Sequence, residues 1–229
     1  MGKAKVTQSK ILALLRQHGQ LRIEVIASAV ERTEVTVRRH LLEMEEAGKV
    51  LRLHGACRLA DASQAQPYFF QQEAASMVCE KQAIGRQAAA LLESHDRIFF
   101  DSGTTVLECG NALCQRLEKS EIIDLSIVSN SLAFGASLAQ YCPVLLLGGN
   151  MRGQRLDLAG PLALDNLQRY HFSKAVLGTD GIAADATLSA TDDDTAQLAA
   201  AVLQQSQQVL ILADSSKLGK HSFVPFGKI

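Results

Sequence analysis

Five short apolar runs in this chain each end on residues able to hold an anion or a polyol. Phe100 leads into Asp101-Ser102-Gly103-Thr104-Thr105, Ser129 into Asn130-Ser131, and Leu147 into Gly148-Gly149-Asn150-Met151-Arg152. Leu177 leads into Gly178-Thr179-Asp180-Gly181, and Leu212 into Ala213-Asp214-Ser215-Ser216-Lys217. Asp101 to Thr105 is the candidate anion cradle. There Gly103 lets a backbone approach closely, Thr104 and Thr105 offer hydroxyls, and a helix opening at that point would aim unpaired N–H groups at a phosphate. Lys217 and Arg152 supply neutralising charge, while Asp101, Asn130 and Asp180 can exchange hydrogen bonds with sugar hydroxyls. A small phosphorylated sugar would use all of these groups. The acidic run Asp192-Asp193-Asp194 has a simpler reading, as the cap of a helix starting near Thr195.

A second constellation lies near the N-terminus. Thr33 is placed to cap a helix running from about Glu34 to Ala47, with Glu34 at the positive end of the helix dipole and Thr36 at the third helical position. Val37, Leu41 and Met44 form one apolar stripe, so Thr36, Arg38, Arg39 and His40 are expected to project elsewhere. Arginines on the N-terminal half of an exposed helix suit guanine edges and phosphates. The next run, Lys49 to Leu59, reads as a basic β-hairpin in which Arg52, His54 and Arg58 would hold register on a duplex. Thr33, Thr36, Arg38, Arg39, His40, Arg52 and His54 are therefore the candidate DNA-contacting set.

The elements that must position these two sets are set by periodicity. A helix over 7–17 and a short one ending near Glu31 precede the Arg38-Arg39 helix, and three helices with a hairpin after them make a winged helix-turn-helix over 1–59. Residues 60–76 are rich in Ala, Gln and Ser, carry Pro67, and read as a connector, with Tyr68, Phe69 and Phe70 available to dock on the second domain. That domain, 77–229, opens with a helix over 80–92. Strands are expected at 97–100, 125–129, 144–147, 174–177 and 209–212, with helices near 105–116, 131–140, 161–170 and 195–206 between them. That alternation predicts an α/β domain with a mostly parallel, Rossmann-like sheet covered on both faces. In such sheets ligands bind beyond the carboxyl ends of the strands, where the five polar clusters fall.

Bulk properties agree with this division. The 229 residues are 47% apolar, enough for a real core, which excludes a disordered chain. No apolar run approaches a membrane span and the first ten residues lack a signal-peptide core, so a cytoplasmic location is expected. Five scattered cysteines and six histidines show neither disulfide nor metal-ligand spacing, and no metal or cofactor is expected. Residues 1–58 hold 11 Lys and Arg against 6 Asp and Glu, whereas 59–229 hold 12 against 18. A basic head on an acidic body suits a module that docks on phosphate.

These segments together resemble the DeoR (deoxyribose-operon repressor) family of bacterial sugar-metabolism regulators. The resemblance rests on Thr33-Glu34-Val35-Thr36-Val37-Arg38-Arg39, Glu45 to Lys49 and Leu53 to Ala56 in the head. In the body it rests on Glu80-Lys81, the five strand-end clusters and Asp214 to Lys217. It implies a homo-oligomeric repressor that leaves its double-stranded operator when a phosphorylated sugar occupies the second domain. It also implies effector contacts at Lys81, at Asp101 through Thr105, at Asp214 and at Lys217, and a sensor fold similar to ribose-5-phosphate isomerase. With the strand-end reading, the effector set is Lys81, Asp101, Ser102, Gly103, Thr104, Thr105, Asn130, Gly148, Gly149, Arg152, Asp180, Asp214 and Lys217.

The chain departs from the family pattern in places. His40 stands where an acid commonly comes after the paired arginines, Cys57 replaces a wing glycine, and Thr187 to Ala190, Asp192 and Ala199 replace residues usual in the sensor. The family pattern also implies a further strand and helix beyond Ile229. An isomerase-like enzyme is one alternative, weakened because Ala183 occupies the position of that enzyme's second aspartate. A regulator whose effector pocket is vestigial is the other.

Overall fold

The computed structural model describes the chain except for residues 1–2, 19, 47–48, 54, 60–67 and 134. It divides into two compact units, Met1–Pro67 and Tyr68–Ile229. The first holds α1 (Lys3–His18), β1 (Gln20–Arg22), α2 (Ile23–Ala29), α3 (Glu34–Glu46), β2 (Val50–Leu53) and β3 (Ala56–Leu59). Ile11 and Leu15 of α1, Ile26 of α2 and Val37, Leu41 and Met44 of α3 close one core with Val50 and Cys57. The hairpin β2–β3 gains a third, antiparallel strand, because Gln20–Arg22 pairs with Ala56–Arg58. Sequence periodicity misses β1: three residues show no alternation, and its partner lies more than thirty positions away.

The second unit opens with α4 (Phe70–Ala74) and α5 (Val78–Ala90), then β4 (Arg97–Phe100), α6 (Thr104–Glu118), β5 (Ser126–Ser129) and α7 (Gly135–Leu138). It continues through β6 (Val144–Leu146), β7 (Asn150–Arg152), β8 (Asp157–Ala159), α8 (Pro161–Leu167), β9 (Phe172–Gly178), β10 (Gly181–Ile182) and β11 (Thr187–Ala190). Last come α9 (Asp193–Gln205), β12 (Ser206–Leu212), a 3-10 turn at Ser215–Lys217 and β13 (Val224–Lys228). The central sheet has the order β12-β9-β4-β5-β6, every pair parallel.

Both faces of that sheet are covered, and β4 shows why its run is continuously apolar. Ile98 and Phe100 pack with Val106, Cys109 and Leu113 of α6 and Ala88 and Ala89 of α5. Phe99 points the other way, into Ala163 and Leu167 of α8 and Leu198 and Val202 of α9. Each such side chain taken from water contributes about 1.5–3 kcal/mol. Helices α5 and α6 pack closely because Gly85 has no side chain; a Cβ there would lie 2.5 Å from the Glu108 carbonyl carbon.

The second unit holds short strands, β7, β8, β10 and β11, that the sequence reading does not include, and it differs from that reading in three further places. The helix expected over 131–140 is reduced to Gly135–Leu138, since Ser131 bridges to Asp157 instead of entering a helix. The connector expected to run to 76 ends earlier: Tyr68 to Ala75 belong to the second unit, with Phe70 buried and its N–H donating to Gln154 O at 2.9 Å. The third concerns the segment past Lys217, which supplies β13, completing a small antiparallel sheet of order β10-β11-β13 against α9.

Several carboxylates tie the unit together through charge. Burial alone would raise the Asp96 carboxyl, but hydrogen bonds from Lys174 (2.9 Å), the Glu93 N–H (2.8 Å) and the Ser173 hydroxyl (2.8 Å) outweigh it and lower it. Asp192 and Asp214 are likewise lowered, against the effect of burial. A carboxyl depressed in the folded state contributes stability above its unfolded value and loses it as pH falls through the folded one. Asp101, which burial pushes up, works in the opposite direction. With Asp185, which hydrogen bonds from Thr187 lower on the surface, four depressed carboxyls against one raised predict a melting temperature that drops on acidification from pH 7 to pH 3, with a smaller drop in Asp96→Asn. Identical acid profiles for the two proteins would contradict this assignment.

Candidate functional site

In the first unit, α3 presents its N-terminal half to solvent. Thr33 accepts a hydrogen bond from the Thr36 N–H at 3.4 Å, and its hydroxyl lies 3.0 Å from that of Thr36. Arg38 and Arg39 are exposed; Arg38 donates to Glu34 at 3.0 Å, whereas Arg39 has no ion-pair partner among the described residues. Arg52 is exposed on β2, 3.5 Å from Glu45, whose carboxylate also accepts its backbone N–H. His54 lies outside the described residues.

His40 is a correction. Its side chain is not on the exposed face but buried, at 4% exposure, with Nδ1 3.5 Å from Glu43. Position 40 lies three residues after Val37 and four before Met44, so it shares the stripe that faces the core. Polarity misleads at this position, where helical spacing is the better guide. Val35 is a residue that the sequence reading misses: at 78% exposure it stands on the open side of α3, four residues from Arg39. An apolar side chain there can meet a thymine methyl.

In the second unit, a narrow cleft opens beyond the carboxyl ends of β4, β9 and β12. Asp101 braces its floor, accepting the Ser102 N–H at 2.7 Å and the Gly178 N–H at 3.2 Å, so that one carboxylate ties the ends of β4 and β9 together. Burial raises this carboxyl. Gly103 is the N-cap of α6 and no side chain caps that helix, which leaves its first-turn N–H groups at the cleft beside Thr104 and Thr105. The Gly103 backbone is extended, and a Cβ there would meet Gly178 Cα at an ordinary 3.7 Å, so its conformation does not itself demand glycine.

Two ammonium groups line the same cleft. Lys81, 2% exposed, reaches from α5 and donates to the Glu73 carbonyl oxygen. Burial pulls its pKa down, opposed by Glu73 and Asp214. Lys217, from the 3-10 turn, sits 3.5 Å from the Glu73 carboxylate. Asp180 also lines the cleft and accepts the Thr191 N–H at 2.9 Å. Lys81, Asp101 to Thr105, Asp180 and Lys217 are thus brought together.

The other candidates are engaged elsewhere. Arg152 does not line the cleft: it donates to both oxygens of Asp157, at 2.8 and 2.7 Å, and to Asp192 at 2.7 Å. These contacts clamp β7 and β8 to the start of α9. The arginine at the cleft is Arg155, three residues on in the same hairpin, 3.2 Å from Asp192 and 4.2 Å from the centre of the Tyr68 ring. Gly148 donates its N–H to the Asn166 side chain, and Gly149 adopts φ +141° where a Cβ would lie 2.6 Å from Ala159 O. Both shape the approach to β7 instead of touching the cleft. Asn130 is buried and does not line the cleft, and its Oδ1 has no partner among the described residues. Asp214 is buried as the cap of the 3-10 turn, accepting the Ser216 N–H at 2.8 Å.

Tyr68 and Arg155 are among the cleft residues that the strand-end reading passes over, with Glu73 and Thr195. None of them comes directly after a strand of the central sheet, so the rule that finds ligands at strand ends could not select them. No three His, Cys, Asp or Glu side chains gather as metal ligands among the described residues, and none of the helices described is long and apolar enough to cross a membrane.

The geometry defines two parts, a winged helix that exposes Arg38 and Arg39 on α3 and an α/β unit with a charged cleft. Residues 8–63 match the DeoR-like helix-turn-helix domain and residues 76–229 match the DeoR C terminal sensor domain. The chain belongs to the DeoR family. It is 31% identical over 222 residues to the HTH-type transcriptional repressor GlcR of Bacillus subtilis, covering 96% of this chain and 82% of that one. To the lactose phosphotransferase system repressor of Staphylococcus aureus it is 30% identical over 223 residues, covering 95% and 85%. Among solved structures, ribose 5-phosphate isomerase from Plasmodium falciparum aligns with a TM-score of 0.47 and 17% identity, over 62% of this chain and 53% of that one.

Proposed function

We propose that this protein is a transcriptional repressor of a sugar-catabolism operon, released from its operator by a phosphorylated sugar bound in the cleft. The observation that carries the reading is the meeting of Lys81 and Lys217 with the uncapped N-terminus of α6. Two ammoniums and a row of free N–H groups match a phosphate dianion in charge and in hydrogen-bond sense. Asp180, Arg155 and Thr195 line the same cleft and offer groups to sugar hydroxyls. The relatives named as repressors, one of them of a lactose phosphotransferase system, support the same reading.

The DNA target is a double-stranded operator, read by α3 in the major groove with Arg52 on the backbone. Function as a homo-oligomer belongs to the same reading, since a second head would double the recognised sequence. Effector and operator favour different states of the protein, so each weakens the other by the same factor.

Thermal melting against a panel of phosphorylated trioses, pentoses and hexoses tests the sensor half. A ligand at 100 times its Kd contributes about 2.7 kcal/mol, which at this chain length shifts melting by roughly 5–10 °C. One phosphosugar is expected to do so, with its unphosphorylated counterpart inert. Failure of every phosphorylated ligand to stabilise the protein would indicate a vestigial pocket.

A further inference from the structure

Glu73 sits where an effector's phosphate is expected to go. Its carboxylate lies 3.5 Å from Lys217, and its carbonyl oxygen receives the Lys81 ammonium. It belongs to α4, a five-residue helix that begins two residues after Tyr68, the first residue of the second unit. We infer that residues 68–76 form a strap over the cleft, and that Glu73 is a built-in anion which a phosphate displaces. This inference rests on the reading of the cleft as a phosphate site.

The charge balance favours displacement. With Glu73 in place, Lys81 and Lys217 are matched by Glu73 and Asp214, which lies close enough to act on both ammoniums. A dianion added to that set would leave an excess of negative charge in a largely buried space. With Glu73 gone, the same dianion leaves a single net negative charge, which the partial positive charge of the α6 N-terminus offsets.

The strap is built to move as a piece. Its anchors are the Tyr68 ring against Arg155, the buried Phe70 with its N–H on Gln154 O at 2.9 Å, and the two lysine contacts at Glu73. Tyr68 itself lines the cleft, so a ligand that fills the sugar end meets the same strap that its phosphate meets at Glu73. At the far end Met77 adopts φ +51° and ψ +41°, a left-handed conformation uncommon for a non-glycine residue. Because the strap leads directly into the connector towards the DNA-binding unit, its displacement gives the sensor a covalent line to the head.

Two measurements on the full chain with inorganic phosphate as probe test this. Calorimetry should show that Glu73→Gln, which keeps the backbone contact to Lys81 and removes the competing charge, binds phosphate roughly threefold to tenfold more tightly than wild type. Amide hydrogen exchange on the unaltered protein should show at least a tenfold rise at Phe70, Glu73, Ala75 and Ser76 when phosphate saturates. Binding of phosphate with unchanged or weaker affinity in Glu73→Gln, or with slower exchange in the strap, would overturn displacement while leaving the phosphate site standing. If neither protein binds phosphate, the reading of the site falls and the strap inference with it.

Discussion

Lys217→Ala is expected to yield a protein that grips its operator as tightly as wild type and no longer lets go when the phosphosugar is added. Lys217 is one of two ammoniums lining the cleft onto which the α6 N-terminus opens, and its side chain is mostly shielded from water. A charge-assisted hydrogen bond in such a place contributes about 1.5–3 kcal/mol, so effector affinity should fall roughly tenfold to a hundredfold. Its contact with Glu73 is one of several that hold the 68–76 segment, and the fold should survive its loss. Calorimetry with the phosphosugar and operator binding with and without it check both halves. Normal release at the wild-type effector concentration would make Lys217 a structural residue.

The complementary variant is Arg39→Ala. Arg38 must leave Glu34 before it can serve a base, at a cost of only a few tenths of a kcal/mol, but Arg39 is exposed and has no ion-pair partner among the described residues to give up. Removing a guanidinium from the recognition helix should weaken operator binding by about 1–3 kcal/mol, roughly fivefold to 150-fold, with phosphosugar binding untouched. Equal operator affinity in this variant would refute the assignment of the helix face. His40→Ala should behave quite differently: a buried side chain on the stripe of Val37 and Met44 affects the stability of the head before it affects base contacts.

Much of this architecture is legible in the sequence because it is local. The apolar stripe of α3, its Thr33 cap, and the strand-to-polar-loop transitions at Phe100 and Leu177 are all readable within a few residues. Asp192 declares itself as a helix cap from its place before Thr195. The illegible features depend on distant partners. Arg152 and Arg155 are equivalent in sequence, and both pair with Asp157 and Asp192; only the fold decides that the second also lies against the Tyr68 ring and lines the cleft. The strand β1 and the small sheet completed by β13 likewise exist through pairings with remote residues. Glu73 is hidden for a different reason, since an acid in a stretch that reads as connector gives no sign that it will close on two lysines.

The central claim is linkage between a phosphosugar in the cleft and DNA on α3. Its most direct test is the fluorescence anisotropy of a labelled operator duplex, selected from random sequence with this protein, titrated with the full chain in the presence and absence of the phosphosugar found by thermal melting. Saturating phosphosugar should weaken operator binding at least tenfold, and operator should weaken phosphosugar binding by the same factor. Operator affinity that stays the same at saturating phosphosugar would contradict the account.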